Sequence, residues 1–253
     1  MTPPTCPVGV VGSWYGATLD PREVEVFRSF PSVPVLRATI ATPAHAVEVL
    51  DVYGPSVGPL LLVEREDDAL IQQLPAALAA AHSAPWGIEL GNELNFSESP
   101  WPFGQFVTRS HRTLRAGGYE GRIVSGGIGN LERKTLAWLR VAMLAGRWPD
   151  DVLVGWHAYS EWGDHVEDFL RVIGDRPHAM TEWGYTAEQF GEQEIAVMTV
   201  GDLELFREMG AQCAVWYQIA DGPEGVGFGL HTYDWRWRPT LNALRGTPGA
   251  SLP

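Results

Sequence analysis

Two segments, GIELGNELN and AMTEWGY, each carry a glutamate at the tip of an apolar run, Glu93 and Glu182. Paired carboxylates can divide labour, because surroundings can keep one protonated and the other ionised. The segment VGWHAYS sets His157 and Tyr159 two residues apart, on one face of an extended chain. Asn92 precedes Glu93, VLRATI carries Arg37, and AVWYQIAD carries Trp216. A protonated carboxyl to serve the leaving oxygen, an ionised one to attack the anomeric carbon and an aromatic wall for a pyranose face suit glycosidic bond cleavage.

Such residues must be delivered to one place by the elements that carry them. Short apolar runs alternate with amphipathic stretches along the 253 residues, the signature of successive βαβ units. Strands are expected at Val8–Val11, Val35–Ile40, Leu60–Val63, Gly87–Leu90, Arg122–Ser125, Val152–His157, His178–Thr181 and Gln212–Tyr217. Several are unbroken apolar runs, as in parallel strands covered on both faces. Helices are expected over Asp67–Ala81 and Asp164–Ile173, where apolar residues recur at helical spacing. Asp20-Pro21 and Thr42-Pro43 read as cap and first-turn pairs opening the first two helices.

Eight strands in this alternation, within the roughly 250 residues such a fold takes, predict an α/β chain forming one (β/α)8 TIM barrel over residues 1–253. An open doubly wound sheet fits less well, since no GxGxxG follows the first strand. A barrel builds its active site at the carboxyl ends of its strands, where Glu93, His157, Tyr159, Glu182 and Trp216 all fall.

Taken together, strand-end Asn-Glu, HxY, Thr-Glu-x-Gly and a last-strand Trp resemble clan A of the retaining glycoside hydrolases. That clan holds cellulases, β-mannanases, β-xylosidases, β-galactosidases and α-L-arabinofuranosidases. The tail GFGLHTYDWRWRPTLNAL is also similar to the ending of many members. The resemblance implies a double displacement with Glu93 as acid/base and Glu182 as nucleophile. It also implies that Asn92 donates to the sugar 2-hydroxyl, that Arg37 lies near the nucleophile, and that neither metal nor organic cofactor is needed. One departure stands out: the third strand reads LLLVERED, offering Glu64 where cellulase-family members usually carry a His.

Each residue has a plainer reading as well. Glu93 and Glu182 could be solvated loop acids, and Asn92 could stabilise a turn. His157 could be a hydrogen-bonded core residue, and Arg37 could pair with Glu89, which shares parity with Glu93 and should point inward. Tyr159 is expected to hold the Glu182 carboxylate with its hydroxyl, which would lower that group's pKa. Trp216 is expected as floor or wall of the sugar site. Trp156, of opposite parity to His157, should be core, while Trp14, Trp101, Trp162 and Trp183 lie just past strand ends and could line outer subsites.

Eighteen Lys plus Arg against 31 Asp plus Glu give a formal charge of −13. That field repels polyanions, which argues against nucleic acid and anionic membrane surfaces as partners and favours a neutral carbohydrate. No apolar run is long enough to span a bilayer. No basic-then-apolar leader opens the sequence, so a cytoplasmic location is expected; a secreted protein with its leader removed would read the same. Cys6 precedes the first strand and Cys213 sits in the last, strands that a closed barrel makes neighbours, so a disulfide and two free buried thiols are both open. Two other functions remain: a carbohydrate-binding or interaction barrel without catalysis, and a metal-dependent barrel hydrolase using His45, His82, His157 or His231. No HxH pair ends the first strand to favour the latter. The oligomeric state and the sugar are not legible.

Overall fold

The computed structural model describes residues 6–11, 22, 25, 28, 30, 34–159, 162–221 and 227–246. Eight parallel strands close on themselves in sequence order. They are β1 (Val8–Val11), β2 (Val35–Thr39), β3 (Gly58–Val63), β4 (Gly87–Asn92), β5 (Arg122–Gly127), β6 (Val152–Tyr159), β7 (His178–Gly184) and β8 (Ala214–Trp216). Described helices are α1 (Pro43–Tyr53), α2 (Asp68–Ala80), α3 (Pro100–Ala116), α4 (Arg133–Gly146), α5 (Val166–Ile173), α6 (Glu192–Glu208) and α7 (Thr240–Leu244). Pairing of β1 with β8 seals the barrel. None of the described helices is long and apolar enough to cross a membrane.

Local sequence explains where the helices start. Thr42 Oγ1 accepts from His45 N at 3.1 Å with Pro43 in the first turn of α1, and Asp67 Oδ1 accepts from Leu70 N at 2.9 Å to open α2. The Asp20-Pro21 pair lies outside the described residues. Helix α5 begins later than its periodicity suggested, because Trp162–His165 forms a short 3-10 turn ahead of it.

Two apolar layers result. Val35, Leu60, Val124, Leu153, Ala179, Cys213 and Val215 fill the amino-terminal half of the barrel lumen, and a larger layer joins the outer strand faces to the helices. Trp156 belongs to the outer layer, fully buried against Phe169, as parity required. Cys6 and Cys213 are both buried and both free thiols.

The strands that carry the polar residues run further than expected. β4 reaches Asn92, β6 reaches Tyr159 and β7 reaches Gly184. A register shift lies between them: Trp156 pairs with Met180, yet His157 pairs with Glu182. Thr181 is the extra residue of this bulge, a device that re-aims the side chains beyond it. Glu182 therefore turns into the lumen, where strict alternation after Ala179 would have sent it outward.

Candidate active site

At the end of β4 the backbone leaves the extended conformation twice. Gly91 has φ +98°, and a Cβ there would meet Leu94 Cδ1 at 2.7 Å, so only glycine fits. Glu93 itself is left-handed at φ +51°, uncommon for a residue with a side chain and a mark of functional sites. Two bonds hold this geometry: Asn92 N donates to Glu64 O at 3.1 Å and Glu93 N to Gly127 O at 2.8 Å. Glu64 thus contributes its carbonyl, which any residue would supply, at the position where cellulase-family members usually carry a His.

A short turn, Leu94–Phe96, follows directly. Asn95 pins it to the end of β5, donating to Gly129 O and accepting from Gly129 N, each at 3.0 Å. Because Asn92 and Glu93 come after the turn at Gly91, Asn92 faces the lumen and its Oδ1 accepts from Arg37 Nη2 at 2.9 Å.

Glu182 is the centre of a buried charge network. Arg37 Nη1 donates to its Oε1 and the Tyr159 hydroxyl to its Oε2. Arg37 is held from its other side by Glu89, through Nε to Oε2 at 2.5 Å and Nη2 to Oε1 at 3.1 Å. Glu89 Oε1 also accepts from Gly127 N at 3.1 Å. Both readings of Arg37 are thus realised in one side chain, which pairs with Glu89 and reaches the nucleophile candidate. A buried guanidinium needs such partners, since an unpaired charge in this interior would be expensive.

These contacts decide ionisation. Burial pushes the Glu182 carboxyl up, but the positive charges of His157 and Arg37 and the hydrogen bonds from Tyr159 and Arg37 together hold it below the ordinary carboxylate value. Burial and the adjacent carboxylate push the Tyr159 phenol well above its usual range, so it stays a donor. Burial works against the Arg37 charge, yet Glu89 and Glu182 more than offset it and strengthen its hold on the proton.

His157 is fully buried, as its core reading required, yet it also joins the two acids. Its Nδ1 lies 3.0 Å from Glu93 Oε1 and 3.7 Å from Glu182 Oε2. An oxygen of Glu93 and one of Glu182 lie within 4.8 Å of each other. Gly127 makes room for the imidazole: a Cβ there would lie 2.6 Å from Thr181 Oγ1 and closer still to His157 Nε2. Neither of those two buried atoms has a hydrogen-bond partner among the described residues.

Glu93, His157 and Glu182 are close enough to offer three ligand atoms to a metal. The donor set fits one poorly, because both oxygens of Glu182 already bind Arg37 and Tyr159 and a dication would sit beside a guanidinium. The other candidate histidines are elsewhere: His45 lies on α1, His82 pairs with Asp51 on the exterior, and His231 stacks on Trp235.

The aromatic wall needs correction. Trp216 is only 1% exposed; its ring packs edge-on against Trp183 at 4.9 Å and its Nε1 donates to Phe228 O at 2.9 Å. It faces the helices with Val10, its partner across β1, so it cannot offer a face to a sugar. The next residue, Tyr217, is the one beside the network: half-buried, it stands edge-on to Tyr159 at 6.0 Å and to Phe228 at 5.6 Å. The last strand ends at Trp216, and the backbone beyond it swings the following side chain toward the mouth. Tyr217 was legible as a neighbour in AVWYQIAD; Phe228 lies in the tail GFGLHTYDWRWRPTLNAL, where nothing singled it out from its neighbours. Trp162 and Trp183 are also core, packed on Phe206, and line no subsite. Trp101 is exposed in the first turn of α3, and Trp14 lies outside the described residues.

Neither a protein-family model nor a curated protein matches this sequence. Solved structures do share its fold. A GH128 (subgroup II) endo-β-1,3-glucanase from Sorangium cellulosum aligns with TM-score 0.71 and 17% identity, over 96% of this chain and 99% of that one. A family 51 α-L-arabinofuranosidase from Bifidobacterium longum aligns with TM-score 0.66 and 11% identity, over 96% and 73%. A GH128 (subgroup I) endo-β-1,3-glucanase from Amycolatopsis mediterranei, solved in complex with laminaritriose, aligns with TM-score 0.61 and 13% identity, over 95% and 98%. In fold, this chain is similar to the (β/α)8 barrels of glycoside hydrolases.

Proposed function

We propose that this protein is a retaining O-glycoside hydrolase in which Glu182 is the nucleophile and Glu93 the acid/base. The observation that carries the reading is the approach of the two carboxylates, with oxygens within 4.8 Å. Retaining pairs stand about 5–5.5 Å apart, whereas inverting pairs need roughly 6.5–9.5 Å to admit a water. The division of roles follows from surroundings. Glu182 is kept ionised by Arg37, His157 and Tyr159, as attack requires. Glu93 is more open to solvent, and among the described residues its side chain bonds through Oε1 to His157, which leaves Oε2 to meet a leaving group.

The reaction has two displacements. Glu182 attacks the anomeric carbon as the bond to the glycosidic oxygen breaks, and Glu93 gives that oxygen its proton. A glycosyl ester on Glu182 results. Water then attacks the same carbon, loses a proton to Glu93 and releases the Glu182 carboxylate. Arg37 and Tyr159 hold the nucleophile oxygens in place and stabilise the carboxylate each time it leaves. Asn92, oriented by Arg37, is positioned to donate its amide to the sugar 2-hydroxyl. The mechanism needs no metal or organic cofactor.

The substrate is a carbohydrate, and β-1,3-glucan oligosaccharides are the first to test, because two of the similar barrels are named for that bond. A 2-deoxy-2-fluoro-β-glucoside with a good leaving group slows both displacements, and its leaving group restores only the first. Incubation should leave one fluorosugar per chain, mapped by mass spectrometry to Glu182 within His178–Tyr185. Label on Glu93 would exchange the roles. Absence of label and of turnover across a broad panel of glycosides would replace the enzyme with a carbohydrate-binding barrel.

A further inference from the structure

One large apolar side chain at the mouth is exposed without being loose. Phe96 is 62% exposed, yet it ends the turn that begins at Glu93. Its backbone N donates to Glu93 O at 3.0 Å, Asn95 clamps the turn to Gly129 on both sides, and Leu94 is buried beneath it. The ring edge rests over Gly129. The point a Cβ would occupy there is 2.7 Å from Glu93 Oε1 and closer still to the Phe96 ring. The Glu93 oxygen that is bonded to His157 and the Phe96 ring thus flank one spot, and glycine keeps that spot open. An apolar ring exposed on a clamped turn beside a carboxyl offers a flat face on which the apolar face of a sugar can stack.

The side of the acid on which it stands identifies that ligand. The side chains that hold Glu182 come from β2 and β6, Arg37 and Tyr159, with Tyr217 beyond the end of β8 against Tyr159. Phe96 stands instead over the end of β5. The general acid delivers its proton to the oxygen joining the two sugars, so what lies beyond it, away from the nucleophile, is the departing group. We propose that Phe96 is the platform of the leaving-group subsite, stacking on the apolar face of the sugar ring that departs. The proposal rests on Glu93 being the acid, and it makes Phe96 a determinant of which aglycones are accepted.

The test compares substrates with and without a ring to stack. Laminaritetraose has a sugar as leaving group, whereas β-laminaribiosyl fluoride loses only fluoride. Phe96→Ala should lower kcat/KM for the tetraose by about 10- to 100-fold, the scale set by burying one aromatic ring. Hydrolysis of the fluoride should remain within about twofold of wild type, a margin below the energy of one stacked ring, and Phe96→Trp should restore the tetraose. The side chain is exposed, so unfolding temperature should not move. Equal losses on both substrates, or no loss on either, would overturn the platform. If the wild-type enzyme hydrolysed neither of these nor any other glycoside or glycosyl fluoride, the glycosidase reading itself would fall, and the platform with it.

Discussion

Glu93 and Glu182 are the same side chain at two strand ends of one barrel, and the protein treats them differently. Around Glu182 the chain has assembled a buried guanidinium, a phenol and an imidazole, leaving its side chain 9% exposed. Around Glu93 it has done little: one hydrogen bond to His157, a left-handed backbone and a side chain 35% exposed. The contrast matches the two roles proposed for them. A nucleophile must be ionised and held, which calls for charge and donors; an acid must reach a leaving group that varies, which calls for access.

Removing each carboxylate in turn tests this contrast with the largest effect. Glu182→Ala should abolish turnover of every substrate, glycosyl fluorides included, by about four or more orders of magnitude. Glu93→Gln should cost about 100- to 10,000-fold on oligosaccharides while leaving a burst of fluoride release from a glycosyl fluoride, which needs no proton to depart. Bursts lost in both variants would erase the distinction between the two residues.

A smaller effect should come from loosening the hold on Glu182. Tyr159→Phe should lower kcat by about 10- to 100-fold, with KM less affected, because the hydroxyl acts on the nucleophile. The sign for pH follows from the direction of the shift. The Glu182 pKa is depressed in the folded protein, so what the paired carboxylate contributes to stability is present above the unfolded value of about 4.3 and is lost as pH falls through the folded value. Without the phenol the folded value rises, and the acid limb of the pH–rate profile should move to higher pH. A profile unchanged in shape and height would place Tyr159 among structural residues.

The smallest effect concerns the Glu93 side. Asn95→Ala removes both clamps on Gly129 and should cost about 1–2 kcal/mol of stability, as two part-buried hydrogen bonds would. Oligosaccharide turnover should fall several-fold while fluoride hydrolysis changes less. An unaltered unfolding curve would mean the turn at Glu93 holds itself.

Strand and helix periodicity carried the barrel, because each βαβ unit is written in local apolar pattern. It also carried the two glutamates, Arg37, Asn92, His157 and Tyr159, since strand ends are where a barrel gathers polar residues. The pattern failed within a residue or two of those ends. Trp216 was expected beside Tyr159 at the mouth and Tyr217 stands there, because alternation cannot be counted past the point where pairing stops. Trp162 and Trp183 could have lined outer subsites and are core: β7 runs three residues further than its apolar run suggested and takes in Trp183, and the 3-10 turn after β6 packs Trp162 on Trp156 and Phe206.

By itself, the sequence determined which residues are available and in what order around the barrel they arrive. Tertiary structure alone decided their partners. The bulge at Thr181 turned Glu182 inward, Gly91 turned Asn92 toward Arg37, and Gly127 and Gly129 cleared room for His157 and Phe96. The reason is physical: apolar periodicity is a property of one segment, whereas a register shift or a close approach of backbone to side chain involves two segments far apart in sequence. Only when β4 to β7 lie side by side do such pairs exist, and the chemistry depends on them.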